Sequence, residues 1–284
     1  MPSQTLTVEE QEWEAECDKL MELSNADMCA KEKRKKGALC SVSGGNYEKK
    51  IHNVVKCCTI NGKPFNTQKE EELGGSSSKN DIECTYTNDE GLDGIIGIEV
   101  KKKGTPDWMQ CSIIYNKETK KWEGSKKCKI PPKSQDIFIQ LIKDYNIFDG
   151  EIPPFMQKAI THEEWLQIKK DAEGKWDDQY FDIPNNIIRK LYREKGCQYI
   201  QISDGYGLYH LGEDVCNFSV PAFDIEQQLR IRTKIHTRKN KKGFCKLSVT
   251  IAAQPKNIKN FNKSPYSLDD RNKLPRKLVY DPTQ

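Results

Sequence analysis

Seven residues near the first third of the chain, Ile95-Ile96-Gly97-Ile98-Glu99-Val100-Lys101, restrict the fold more than any others. Their β-branched content and apolar run predict a buried strand, and the run ends in charge. Side chains on a strand repeat every second residue, so Glu99 and Lys101 share one face. Asn88-Asp89-Glu90-Gly91 supplies a turn before it, and a polar strand over Asp81 to Thr87 precedes the turn. Antiparallel pairing of the two would bring Asp81 beside Glu99 and Lys101.

The rest of the chain reads as mixed α/β. Thr7 with Glu10 fits a capping box, and Trp13, Cys17, Leu20, Met21 and Cys29 form an apolar stripe, so 7–30 is expected to be helical and to close at the basic run 31–36 and Gly37. A second helix is expected to begin at Ser43-Gly44-Gly45 and run from Asn46 to Cys58. Thr105-Pro106-Asp107 looks like a helix start with proline at the first position, which predicts a helix over Trp108 to Tyr115. Residues 131–195 look mostly helical, with segments at 134–148, 161–172 (Thr161 and Glu164 as capping box) and 184–194. Strands are expected at 198–202, 207–211, 229–236 and 244–252, followed by an irregular tail from Pro255. The expected organisation is a helical arm at 1–40, a core at 41–130, a helical segment at 131–197 and a β-rich basic region at 198–284.

Charge is lopsided. Residues 225–284 carry 15 Lys+Arg against 4 Asp+Glu, a net +11, whereas the remainder carries 31 against 38, a net −7. A basic region on an acidic body suggests a polyanion partner. Within it, Arg230, Arg232, Lys234 and His236 alternate with Leu229, Ile231, Thr233 and Ile235. The expected hairpin would therefore have one basic and one apolar face, and a tip holding Arg238, Lys239, Lys241 and Lys242. The alternative is an edge strand guarded by lysines against aggregation.

Other chemistries find little footing. No stretch approaches the roughly 18 apolar residues of a membrane span, so no membrane is expected. Met1–Glu10 lacks the basic and apolar regions of a secretory signal, so the chain is expected to be intracellular and cytoplasmic. Its 11 cysteines are odd in number and lack a CxxC pair, which favours free thiols. The four histidines are far apart, without zinc-ligand spacing to a cysteine.

Two carboxylates can hold Mg²⁺ through oxygen ligands, and an adjacent ammonium can place or deprotonate a water and offset charge on a phosphoryl group. The order of parts resembles the PD-(D/E)xK nucleases, particularly the type II restriction endonucleases. A Gly/Ser-rich lead-in at 74–78 precedes Asp81-Ile82, and a hairpin leads to Ile98-Glu99-Val100-Lys101. Glu48 matches the glutamate often found on a helix before the first strand, and Gln110 the glutamine some members place near the phosphate. Asn80 stands where the family usually has proline. Asp93 and Glu83 compete with Asp81 for the first acidic position, Asp93 from within a Gly-flanked turn.

The resemblance covers about residues 43–115. It implies a restriction-endonuclease-like α/β (α+β) core, a central mixed sheet flanked by helices, with a helical insertion and a C-terminal basic β-ribbon. It further implies Mg²⁺, replaceable by Mn²⁺, held at Asp81, Glu99 and Val100, with Lys101 placing the attacking water. Glu48 would support a second ion or orient the lysine. The expected function is site-specific cleavage of double-stranded DNA, with Arg230, Arg232, Lys234, Arg238, Lys239, Lys241 and Lys242 contacting the duplex. A homodimer would suit double-strand cutting, although no self-complementary patch is visible in the sequence. A non-catalytic nucleic-acid-binding protein, or a nuclease for repair intermediates, junctions or RNA, remains the alternative.

Overall fold

The computed structural model describes residues 30–68, 73, 79–87 and 90–283 of the 284. The expected helix at 7–29 and the Gly/Ser lead-in at 74–78 lie outside the described residues. Helix α1 spans Ala30–Val55. It runs unbroken through the basic segment, Gly37 and Gly44-Gly45, so the helix end expected at Gly37 and the helix start expected at Ser43 are not found there. Tertiary anchoring offsets the glycine penalty of about 1 kcal/mol each: the last three turns bury Tyr47, Ile51, Val54 and Val55.

Short strands follow: β1 (Cys58–Ile60), β2 (Lys63–Pro64) and β3 (Asn66–Thr67). Next come β4 (Ile82–Thr87) and β5 (Asp93–Lys101), the predicted hairpin, paired so that Ile82 faces Ile98. On the other edge β5 pairs in parallel with β9 (Cys197–Ile202), and β10 (Gly207–His210) completes a mixed five-stranded sheet of order β10-β9-β5-β4-β3. Parallel neighbours cannot be joined by a tight turn, and here 95 intervening residues make the crossover. The sheet therefore takes strands from both sides of the boundaries expected at 130/131 and 197/198.

Inside that crossover lie β6 (Met109–Asn116), β7 (Lys121–Gly124), α2 (Pro132–Asp144), α3 (Pro154–Gln157), α4 (His162–Asp171), β8 (Gln179–Ile183) and α5 (Ile187–Glu194). The segment at 131–197 is thus not purely helical, since β8 joins a sheet. The capping box of α4 forms as expected between Thr161 and Glu164. After β10, β11 (Gln227–Thr237) and β12 (Lys246–Pro255) form the long basic hairpin. A second five-stranded sheet, antiparallel throughout, has the order β7-β6-β12-β11-β8. In the tail, β13 (Leu278–Tyr280) pairs with β1, so this segment is not wholly irregular.

Segment 108–115 falls, apart from Trp108, in strand β6 and not in the helix that Pro106 suggested. Met109, Cys111 and Ile113 are buried while Gln110 and Ile114 are exposed, the period-2 pattern of a half-buried strand. Ladder bonding to β12 outweighs the local helix-start signal.

Two apolar cores sandwich the first sheet. One packs Ile96, Ile98, Val100 and Tyr199 with the end of α1. The other packs Ile200 and Ile202 against α5 and the inner face of the second sheet, through Leu229, Ile231 and Ile251. Glu99 and Lys101 lie opposite Ile200 and Ile202 in the β5–β9 register, so they point into the layer between the sheets. That layer opens as a cleft at the C-terminal end of β5.

No helix among the described residues is long and apolar enough to cross a membrane. The eight cysteines whose side chains are described carry no disulfide. Trp108, Trp165 and Trp176 are core residues, and Trp122 packs against that core.

Candidate functional site: a carboxylate pair between two ammonium groups

Asp81 sits one residue before the Ile82–Ile98 pair, which brings it opposite Glu99. Its Oδ2 accepts the Val100 backbone N–H at 2.9 Å. That bond uses a residue the sequence reading expected at the metal, and it fixes the carboxylate against β5. Glu99 is 1% exposed. Lys101 Nζ lies 2.5 Å from Glu99 Oε1 and 3.6 Å from Asp81 Oδ2. The three residues picked out as the chemical core are therefore gathered at one point.

A fourth residue joins them that sequence reasoning missed. Lys195, the C-cap of α5, places Nζ 2.6 Å from Glu99 Oε2 and 3.3 Å from Asp81 Oδ1. Each carboxylate thus has one oxygen toward Lys101 and the other toward Lys195. Cys197 Sγ adds a weak contact to Glu99 Oε2 at 3.5 Å. The buried Tyr192 ring lies 5.6 Å from one ammonium and 5.8 Å from the other, within cation–π range.

Glycine makes this convergence possible. Gly196 has φ +89°, a left-handed turn between α5 and β9. A Cβ at Gly97 would lie 2.3 Å from the Gly196 carbonyl oxygen and 2.5 Å from Asn80 Nδ2. Only a glycine at 97 lets the end of α5 approach β5 closely enough for Lys195 to reach Glu99.

The electrostatics follow from the pairing. Burial alone would raise the Asp81 carboxyl, but Lys101, Lys195 and the Val100 N–H outweigh it and hold the group below the usual carboxylate range. Burial likewise disfavours the two ammonium groups, yet the carboxylates hold both above their ordinary value. Glu48, half-buried on α1, moves from its ordinary 4.5 to about 7, first through burial and then through the Asp81 charge. It feels the site without a direct bond to it. Helix α1 is pinned nearby by Lys102 Nζ donating to Ser43 Oγ at 2.5 Å. His52, also on α1, bonds the Gln68 carbonyl, and the Gln68 side chain donates to the Asp81 carbonyl.

The other candidates fall as follows. Gln110 lines the same cleft of about 260 Å³ as Asp81, Glu99 and both lysines, but from strand β6. Asp93 lies at the far end of β5, where it accepts from Thr87 Oγ1. Glu83 is exposed, away from the cleft lining.

Among the described residues no group of three or more His, Cys, Asp or Glu side chains gathers at metal-binding range. Asp81 and Glu99 nevertheless suit a hard divalent cation such as Mg²⁺, which takes one or two carboxylates and completes its shell with water and phosphate oxygens.

The basic hairpin divides in two. At its base Arg230 bonds Asp178, with Nη2 to Oδ2 at 2.5 Å, and lies 3.7 Å from Asp107, while Arg232 lies 3.8 Å from Asp107. Arg230 is thus paired within the chain and Arg232 more loosely so, which sets both apart from the cations farther along the hairpin. Beyond Arg232 on β11, and before Val249 on β12, the strands pair only with each other and project as a ribbon. Lys234, Arg238, Lys239, Lys241 and Lys242 are exposed there, with no carboxylate partner among the described residues. Asn240 builds the turn by accepting the Lys242 and Phe244 N–H groups, which leaves the lysines outside. Arg230, Ala252 and Gln110 are aligned in the register, so the hairpin and the cleft-lining strand β6 belong to one face of the second sheet.

Comparison of the chain with protein-family models, with curated proteins and with solved structures finds no match.

Proposed function

We propose that the protein is a Mg²⁺-dependent DNA endonuclease with the core architecture of the PD-(D/E)xK enzymes. The observation that carries the reading is the convergence of Asp81, Glu99 and Lys101 at the C-terminal end of β5, in a cleft lined on one side by strand β6 of the second sheet. The order of α1, β3, β4, β5, a crossover ending in α5, and parallel β9 supports it. Asp81 and Glu99 would hold the ion, and Glu48 stands close enough in charge to tune them. A bound divalent ion supplies Lewis acidity toward the scissile phosphate and lowers the pKa of bound water.

The chain's own residues do the remaining work. Lys101 orients the attacking water and offsets charge as the phosphoryl group becomes five-coordinate. Gln110, exposed on β6, offers an amide to a phosphate oxygen. Duplex DNA lies along the face of the second sheet, and the ribbon tip clamps its backbone through charge. Cleavage at defined sites in both strands requires two such clefts, which a homodimer would supply.

The test is incubation of supercoiled plasmid with purified protein and Mg²⁺, followed by sequencing of the ends. Linearisation that chelator abolishes, and that Glu99→Ala lacks, is expected. A protein that retards DNA but leaves it intact at every Mg²⁺ and Mn²⁺ concentration is instead a binding module.

A further inference from the structure

The four outer oxygens of the carboxylate pair are not equivalent. Asp81 Oδ2 is committed to the Val100 N–H and to Lys101, and Glu99 Oε1 to Lys101. The remaining pair, Asp81 Oδ1 and Glu99 Oε2, is bridged by a single ammonium, that of Lys195. A cation shared by both carboxylates needs one oxygen from each. Lys101 is the less replaceable of the two lysines, since it lies two residues from Glu99 on the same rigid strand. Lys195 projects from a helix end into the cleft it lines.

We propose that Lys195 competes with the divalent ion for Asp81 Oδ1 and Glu99 Oε2, and that its displacement couples metal loading to DNA phosphate. The inference rests on the nuclease reading above. An ammonium expelled from two carboxylates needs another anion, and the cleft offers Asp107, already paired with the arginines, or an incoming phosphodiester. Metal alone therefore binds weakly, and metal with duplex binds well. By linkage the duplex also binds more tightly when the ion is present. The lysine acts on the ion through its ligands and is a positioning residue, not a catalytic one.

Free Mn²⁺, followed by electron paramagnetic resonance in a titration without DNA, tests this. Lys195→Met and Lys195→Gln should each bind Mn²⁺ at least tenfold more tightly than wild type, while Asp81→Asn binds none. The glutamine variant keeps a donor for Glu99 if methionine unfolds the chain. A measurement on unmodified protein stands beside these: amine-acylation footprinting should show Lys195 at least tenfold more reactive once Mg²⁺ is added, with Lys101 unchanged. If wild type binds Mn²⁺ and cuts plasmid, yet the variants bind no tighter or Lys195 labelling stays constant, the competition is refuted and the nuclease survives. If neither wild type nor Lys195 variants bind Mn²⁺ and plasmid stays intact, the nuclease reading itself falls.

Discussion

The two sheets handle charge in opposite ways. The first buries it: Asp81, Glu99 and Lys195 are each under a tenth exposed and pair with one another. The second sheet keeps its cations outside, and at the ribbon tip without partners among the described residues. Burying ions costs several kcal/mol each before pairing returns it, so such a cluster is a poor way to obtain stability alone. Unpaired surface lysines cost little and do nothing for folding. Buried, fully matched charge suits chemistry at a point, whereas exposed, unmatched charge suits attraction along a length. The base of the ribbon is intermediate, with Arg230 and Arg232 spent on Asp178 and Asp107.

That division can be broken from either side. The largest effect is expected in the first sheet: Glu99→Ala or Lys101→Ala should lower the plasmid cleavage rate at least about a thousandfold, as loss of a charge stabiliser does. Both should still retard DNA in a gel, and cleavage at the wild-type rate would remove these residues from the chemistry. Next comes the ribbon tip. Neutralising Lys239, Lys241 and Lys242 together should flatten the slope of log affinity against log salt by up to about 2.7, at about 0.9 per phosphate contact. Arg230→Ala should alter that slope far less, because its charge is already paired. Equal slopes for the two sets would erase the distinction drawn here.

Gly97→Ala sharpens the packing side of the comparison. The added methyl meets the Gly196 carbonyl at 2.3 Å, so urea unfolding should show a loss of about 1–3 kcal/mol. Gly44→Ala, with nothing within 4 Å, should be neutral or slightly stabilising.

A smaller effect than those of the catalytic and ribbon variants concerns Glu48. Its folded-state value is raised from 4.5 to about 7, so between those values the native state holds a proton that the unfolded chain has lost. Stability should therefore fall as pH rises from about 4.5 to 7 and level off above. Discounted for partial exposure, the fall is on the order of 1–2 kcal/mol. Glu48→Gln should remove that slope in melting experiments, and an unchanged slope would assign it elsewhere.

Asp81, Glu99 and Lys101 are legible in the sequence because strand alternation and one hairpin suffice to bring them together. Gln110 was legible as a residue but not as a position. Thr105-Pro106-Asp107 imitates a helix start, while the alternation of Met109, Cys111 and Ile113 carries the strand signal, and a partner 140 residues later decides between them. Lys195 gave no usable signal. A lysine at the end of a helix before glycine ordinarily reads as a solvated cap, and only the parallel crossover brings it to Glu99. The pairing of Arg230 and Arg232 is equally a tertiary fact, since Asp107 and Asp178 lie far away in sequence. The unbroken course of α1 through three glycines depends on the core its last turns meet.

The crossover has a consequence in time. Asp81 and Lys195 are separated by 114 positions and Glu99 and Lys195 by 96. Contacts so remote along the chain close late, after the loop entropy between them has been spent. As the polypeptide leaves the ribosome, β4 and β5 can pair well before α5 exists, so a nascent fragment holds two acidic side chains with half their counterions. The four-residue cluster is completed only once Lys195 has joined it, and until then the acidic pair has Lys101 but lacks its second ammonium.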